Sequence, residues 1–279
     1  MLVSAAFVPD TALLVPGASG RVDPAQELRE AATSAVRRAL DGADRVVVVA
    51  PGRPPGRPPR AVPPGGAGAT GAGTGTTSPR VPALTVVGTV RPTLAAAGVP
   101  DRLLAPVAPV TLSAVEVDEA SELVRRTRVA AVPTAVALRV LAAVGGAATH
   151  AVETVGADAA ALRALGARLV AGDGRDALVV VGSGSARHGP DAPVADDPEA
   201  LVLDDALLAD LSSPDAAARE RLSAIEPERA VALAVTGWGP WQVLLGALGP
   251  RRVRHCDVAG LVLLGAQHVV GTWRVEAPA

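Results

Sequence analysis

The stretch ALVVVGSGSARHGPDAP, Ala177–Pro193, decides the fold. Its first five residues are apolar and three are valine, after which glycine and hydroxylic residues end the run. A run this short, bounded by glycine, has strand length rather than helix length. Because it does not alternate with polar residues, it belongs to a strand covered on both faces. RVVVVAPG, Arg45–Gly52, repeats the pattern.

Further expected strands are Leu2–Val8, Leu84–Val87, Thr149–Val155, Gly260–Leu264 and Thr272–Val275, with the two valine runs at Arg45–Ala50 and Ala177–Gly182. Helical spacing falls between them, at Pro24–Leu40, Val117–Arg126, Thr134–Val144, Asp158–Val170, Asp204–Asp210, Pro214–Ala224 and Trp241–Leu248. In the first of these, Asp23 stands as an N-cap before Pro24, and Leu28, Ala32, Ala35, Val36, Ala39 and Leu40 supply one apolar face. Strands alternating with helices predict an α/β protein with three α/β/α layers and a mixed, largely parallel central sheet. Ligands in such folds sit beyond the carboxyl ends of the strands.

At 279 residues the chain suffices for one large domain or two small ones, and one domain spanning 1–279 is the simpler expectation. Pro51–Pro82 is rich in proline and glycine with little to bury, which predicts a disordered insertion at about 52–82; a PxxP ligand or a domain boundary are its alternatives. The chain is 49% hydrophobic but 1% aromatic, without lysine, asparagine or tyrosine. Such a biased inventory explains the abundance of arginine without invoking phosphate recognition. The net charge of −2, with both signs interspersed, provides no basic stripe for nucleic acid. A single cysteine, Cys256, and no basic leader or apolar run of spanning length lead to the expectation of a cytoplasmic protein that engages no membrane.

Chemistry is expected where the valine run ends. Gly182, Gly184 and Gly189 do not make a dinucleotide fingerprint, since Arg187 takes the place of the third glycine and no helix follows directly. Ser183 or Ser185 with His188 and Asp191 gives the minimum inventory of a nucleophilic triad, against the plainer reading of solvated loop groups. Of four histidines, none pairs at metal-ligand spacing. His150 and His268 read as core or edge histidines, and His255 as part of a polar connection beside Arg254; His188 alone follows a parallel strand end. Trp238, between two glycines in an expected turn, is a candidate pocket wall, and Trp241 a core anchor.

Three segments in order, FVPDTALLVPGASG, RVVVVAPG and VVVGSGSARHGPDAP, followed by a Leu-Asp-Asp helix and TGWGPWQVLLGAL, resemble the catalytic-subunit superfamily of class III extradiol ring-cleavage dioxygenases and its Memo-like relatives. The resemblance implies a ferrous ion held by two histidines and a carboxylate, with another histidine as acid/base. Here Asp10 takes the place of the first ligand, Gly52 the second, Ala186 the acid/base histidine, and Thr236–Trp238 the C-terminal ligand. Asp10 is thus the one remnant of the expected metal set, too few for a facial two-histidine, one-carboxylate centre.

The first reading is therefore a dioxygenase-like protein without its Fe(II) site and with no cofactor expected. It retains a strand-end pocket for a small molecule, lined by Asp10, Gly52, Ser183, Ser185, Ala186, Arg187, Asp191, Thr236 and Trp238, with His188 as candidate catalytic group. The alternatives are an active Fe(II) extradiol dioxygenase, an oxidoreductase, with rearranged ligands; a metal-independent hydrolase using Ser185 and His188; and a component of a homo- or hetero-oligomer.

Overall fold

The computed structural model describes residues 1–20, 23–52, 82–115, 124–127, 129–156 and 158–276. The strands are β1 (Leu2–Val8), β2 (Arg45–Pro51), β3 (Ala83–Val86), β4 (Gly88–Val90), β5 (Val110–Leu112), β6 (Val124–Thr127), β7 (His150–Thr154), β8 (Asp176–Val181), β9 (Val253–Leu263) and β10 (Ala266–Val275). The helices are α1 (Gln26–Leu40), α2 (Val132–Ala143), α3 (Ala159–Leu169), α4 (Pro198–Ser212), α5 (Ala216–Ser223), α6 (Pro227–Ala232) and α7 (Trp238–Leu248).

Eight strands form one sheet in the order β6, β3, β7, β2, β8, β1, β10, β9, and β4 pairs with β5 in a small second sheet. The centre, β7-β2-β8-β1, is parallel. Antiparallel joins occur where β3 meets β7, β1 meets β10, and β10 meets β9. Successive valines then face opposite layers, as strand geometry requires. Val47, Val49, Leu178 and Val180 pack with α3 to α7 on one side. Val46, Val48, Val179 and Val181 pack with α1 and α2 on the other. The result is the expected three-layer α/β/α sandwich around a mixed, mostly parallel sheet. Phe7 and Trp273 meet edge-to-face at 5.1 Å across the β1-β10 pair, an arrangement worth about 0.5–1.5 kcal/mol beyond area burial.

Several expectations shift. The helix α1 buries the predicted face, but it opens at Gln26. Asp23 accepts from the Ala25 N–H and pairs with Arg29 at 2.6 Å instead of capping the first turn. Of the expected helix Val117–Arg126, residues 117–123 lie outside the described residues, while Val124–Thr127 is β6, parallel to β3. There a sheet partner overrides a local helical pattern. His255 belongs to the long strand β9, not to a connection, and Trp238 opens α7 instead of occupying a turn. Most of the proline- and glycine-rich stretch, 53–81, lies outside the described residues. Among the described residues, no helix is long and apolar enough to cross a membrane.

Candidate functional site

Strands β1 and β8 end side by side, with Val8 opposite Val181. The chain leaving them delivers Asp10 and Ser183 to the same point. From the other side comes β10, antiparallel to β1 with Phe7 opposite Gly271. Three residues further along that register are Asp10 and His268. The three side chains meet at a cavity of about 240 Å³ whose other walls include Leu13, Ala186, Thr236, Leu263 and Leu264.

The Ser183 hydroxyl donates to Asp10 Oδ1 at 2.6 Å, and its oxygen lies 3.2 Å from His268 Nδ1. A hydroxyl has one proton to give, so with that proton on the Asp10 bond the oxygen accepts from an Nδ1–H. This tautomer leaves the lone pair on Nε2, which no described residue engages. Burial pushes the His268 pKa below 6.5, with Asp10 opposing it, so the ring is held neutral. The Ser183 N–H donates to Thr236 Oγ1 at 2.9 Å, and the Gly237 N–H to the Ser183 carbonyl at 2.9 Å. Both bonds fix the serine loop against the entry to α7.

Behind the cavity wall lies a second pair. His188 Nε2 is 2.6 Å from Asp204 Oδ2, with side chains 5% and 3% exposed. The Ser185 N–H donates to both Asp204 oxygens, at 3.1 and 2.9 Å. Burial raises the Asp204 pKa, opposed by the His188 bond and the Ser185 N–H. His188 Nδ1 is buried with no partner among the described residues. Gly184 is required here because a Cβ would stand 2.6 Å from Asp204 Oδ1 and 2.9 Å from Gln267 Cγ.

The sequence-derived candidates therefore divide. Asp10, Ser183, Ala186 and Thr236 line the cavity. His188, the candidate catalytic group, does not; it is sealed against Asp204. Ser185 is fully buried and its hydroxyl donates to the Leu233 carbonyl, so it has no contact with His188 of the kind a hydrolase needs. Arg187 donates to the Ala195 carbonyl at 2.9 Å, and Asp191 is exposed and off the cavity. Trp238 is buried, with its indole N–H on the Ile225 carbonyl. Gly52 does not line the cavity, and a Cβ there would lie 2.7 Å from Val155 Cγ1 and 2.8 Å from Glu153 Cβ. The Glu153 carboxylate is committed to the start of α2, accepting from the Ala131 N–H and the Thr134 hydroxyl.

Sequence reasoning missed His268 and Asp204. His268 becomes a site residue through the antiparallel placement of β10 beside β1, which no local motif announces. Asp204 sits in the Leu-Asp-Asp helix already singled out, and its burial is what distinguishes it from Asp205.

The residues present do not fit a facial Fe(II) centre. Asp10 and His268 each hydrogen-bond the Ser183 hydroxyl, Gly52 brings no donor, and no group of three or more His, Cys, Asp or Glu residues that would hold a metal occurs among the described residues.

No protein-family model matches the chain, and no curated protein matches it. Among solved structures, an uncharacterized protein from Escherichia coli K12 aligns over 98% of this chain and 100% of its own, at 12% identity and a TM-score of 0.46.

Proposed function

We propose that this protein is a dioxygenase-like sandwich whose strand-end cavity binds a small organic molecule without Fe(II) ring-cleavage chemistry. One observation carries the reading. Asp10, Ala186 and Thr236, which the resemblance aligns with the first metal ligand, the acid/base and the C-terminal ligand region, line one cavity, and only Asp10 carries a metal-binding side chain. The cavity retains acceptors, a hydroxyl and an apolar wall, which is what a small-molecule site needs. His268, rather than His188, is the imidazole placed to touch a ligand.

Two measurements test it. Anaerobic reconstitution with Fe(II), followed by metal analysis and assay on catechol and protocatechuate, is expected to give no stoichiometric iron and no ring cleavage; tight iron at one per chain overturns the reading. A fragment screen by protein NMR is expected to return hits that perturb Asp10, Ser183 and His268, and hits confined elsewhere would dismiss the cavity. An assembly role is the second reading, favoured by Leu201 and Val202 of α4, which are 56% and 67% exposed. Light scattering of the purified chain decides it, with a monomer at micromolar concentration counting against self-association.

A further inference from the structure

The polar end of the cavity has an unbalanced inventory. Asp10 brings a carboxylate whose Oδ2 accepts no hydrogen bond from a described residue, because its one bond, from Ser183, goes to Oδ1. His268 presents the bare Nε2 lone pair. Against these acceptors the described residues set no cation: no arginine among them lines the cavity, the chain has no lysine, and Arg187 donates instead to the Ala195 carbonyl. The rest of the lining is mainly aliphatic, with Leu13, Pro193, Leu263 and Leu264 and, among the described residues, no aromatic ring. Among the described residues, Asp10 and His268 are the titratable groups that face it.

We propose that the cavity selects a small aliphatic ammonium, a primary amine in its charged form carried on an apolar body of roughly one ring. The inference rests on the cavity being a binding site. An ammonium has three N–H donors and no acceptor, so it can serve Asp10 Oδ2 and His268 Nε2 together and supply the missing positive charge. A neutral alcohol can donate to one of the two acceptors and leaves the carboxylate uncompensated. A carboxylate ligand brings no donor and meets Asp10 as a like charge.

The test uses the full chain and three ligands of nearly equal shape: cyclohexylammonium, cyclohexanol and cyclohexanecarboxylate, titrated by calorimetry and followed by NMR at the cavity residues. Cyclohexylammonium is expected to bind at least about tenfold tighter than the other two, the ratio that a charge-assisted hydrogen bond supplies. Asp10→Asn, which keeps an acceptor for Ser183, is expected to erase that preference. The wild-type ranking needs no variant, so a folding defect in Asp10→Asn cannot hide the answer. Equal or tighter binding of cyclohexanol or the carboxylate at the cavity overturns the ammonium class and leaves the binding reading standing. Failure of cyclohexylammonium to perturb Asp10, Ser183 or His268 also overturns it, and the fragment screen then judges the cavity separately. Retention of the ranking by a folded Asp10→Asn would overturn Asp10 as its source.

Discussion

Two histidine–aspartate pairings meet the loop that leaves β8, one at Ser183 and the other at Ser185, and they are built to opposite purposes. His188 and Asp204 touch directly at 2.6 Å, both sealed from solvent, and the carboxylate also holds the Ser185 amide. His268 and Asp10 are separated by the Ser183 hydroxyl, and all three line a cavity. The first pairing commits His188 Nε2 and both Asp204 oxygens to the protein, and its one unpartnered atom among the described residues, His188 Nδ1, is buried and does not line that cavity. The second leaves Nε2 of the ring and Oδ2 of the carboxylate for something else. Proximity to a strand end is thus a poor guide to reactivity until the partners of each polar atom are counted.

The largest effect expected from this contrast is on stability. Asp204→Ala leaves a buried imidazole and the Ser185 N–H without their partner, and should cost about 3–5 kcal/mol in urea unfolding. Asp10→Ala, which removes a half-buried group from the cavity rim, should cost about 1 kcal/mol or less. A reversal of that order would break the comparison. Gly184→Ala comes next, because its new methyl group lands against the Asp204 carboxylate and Gln267; overpacking of this kind should cost about 1–3 kcal/mol. Ser183→Ala uncouples Asp10 from His268 with little loss of volume and should cost about 0.5–1.5 kcal/mol while shifting the imidazole NMR signals of His268 and sparing those of His188.

The smallest effect, and the most discriminating, is in pH dependence. His268 has a folded-state pKa below its ordinary 6.5, so its contribution to stability is complete above 6.5 and is lost as pH falls through the lower folded value. Asp204 has a folded-state pKa above its ordinary 3.8, so its contribution is complete below 3.8 and is lost as pH rises through the higher folded value. Acidification therefore works in opposite directions on the two pairings. His268→Gln should remove the loss below 6.5 and leave the gain on approach to 3.8, as read from unfolding midpoints across pH. A His268→Gln profile identical to wild type would remove the argument for a buried neutral ring.

How much of this the sequence carries depends on how far the relevant interaction reaches. The strand β1 and the buried runs of β2 and β8 are legible to within a residue or so at either end, because a covered strand writes its burial into a short apolar run, of valines in β2 and β8 and of mixed small and apolar residues in β1. Asp10, Ser183 and Ala186 are legible as positions that follow a strand end, whereas Thr236 lies in the turn before α7. Val124–Arg126, the end of the expected helix, belongs instead to β6, whose pairing with β3 is set by a partner far along the chain. Short elements with little periodicity, β4, β5 and α6, give no signal at all. The presence of His268 rather than His188 at the cavity has the same physical origin: local sequence reports which residue follows a strand, not which strand arrives beside it.

The hairpin of β9 and β10 gives one wall of the cavity, through Leu263, Leu264, Ala266 and His268, and it pairs with β1. As the chain emerges from a ribosome, every parallel strand of the sheet is therefore complete while the outer edge of β1 still waits for a neighbour. Closure of the site is a late event tied to the joining of distant segments, a step that incurs its loop entropy before any contact offsets it. A nascent chain stalled before residue 266 would carry an open, sticky sheet edge and an incomplete cavity, so synthesis and completion of that cavity are separated in time.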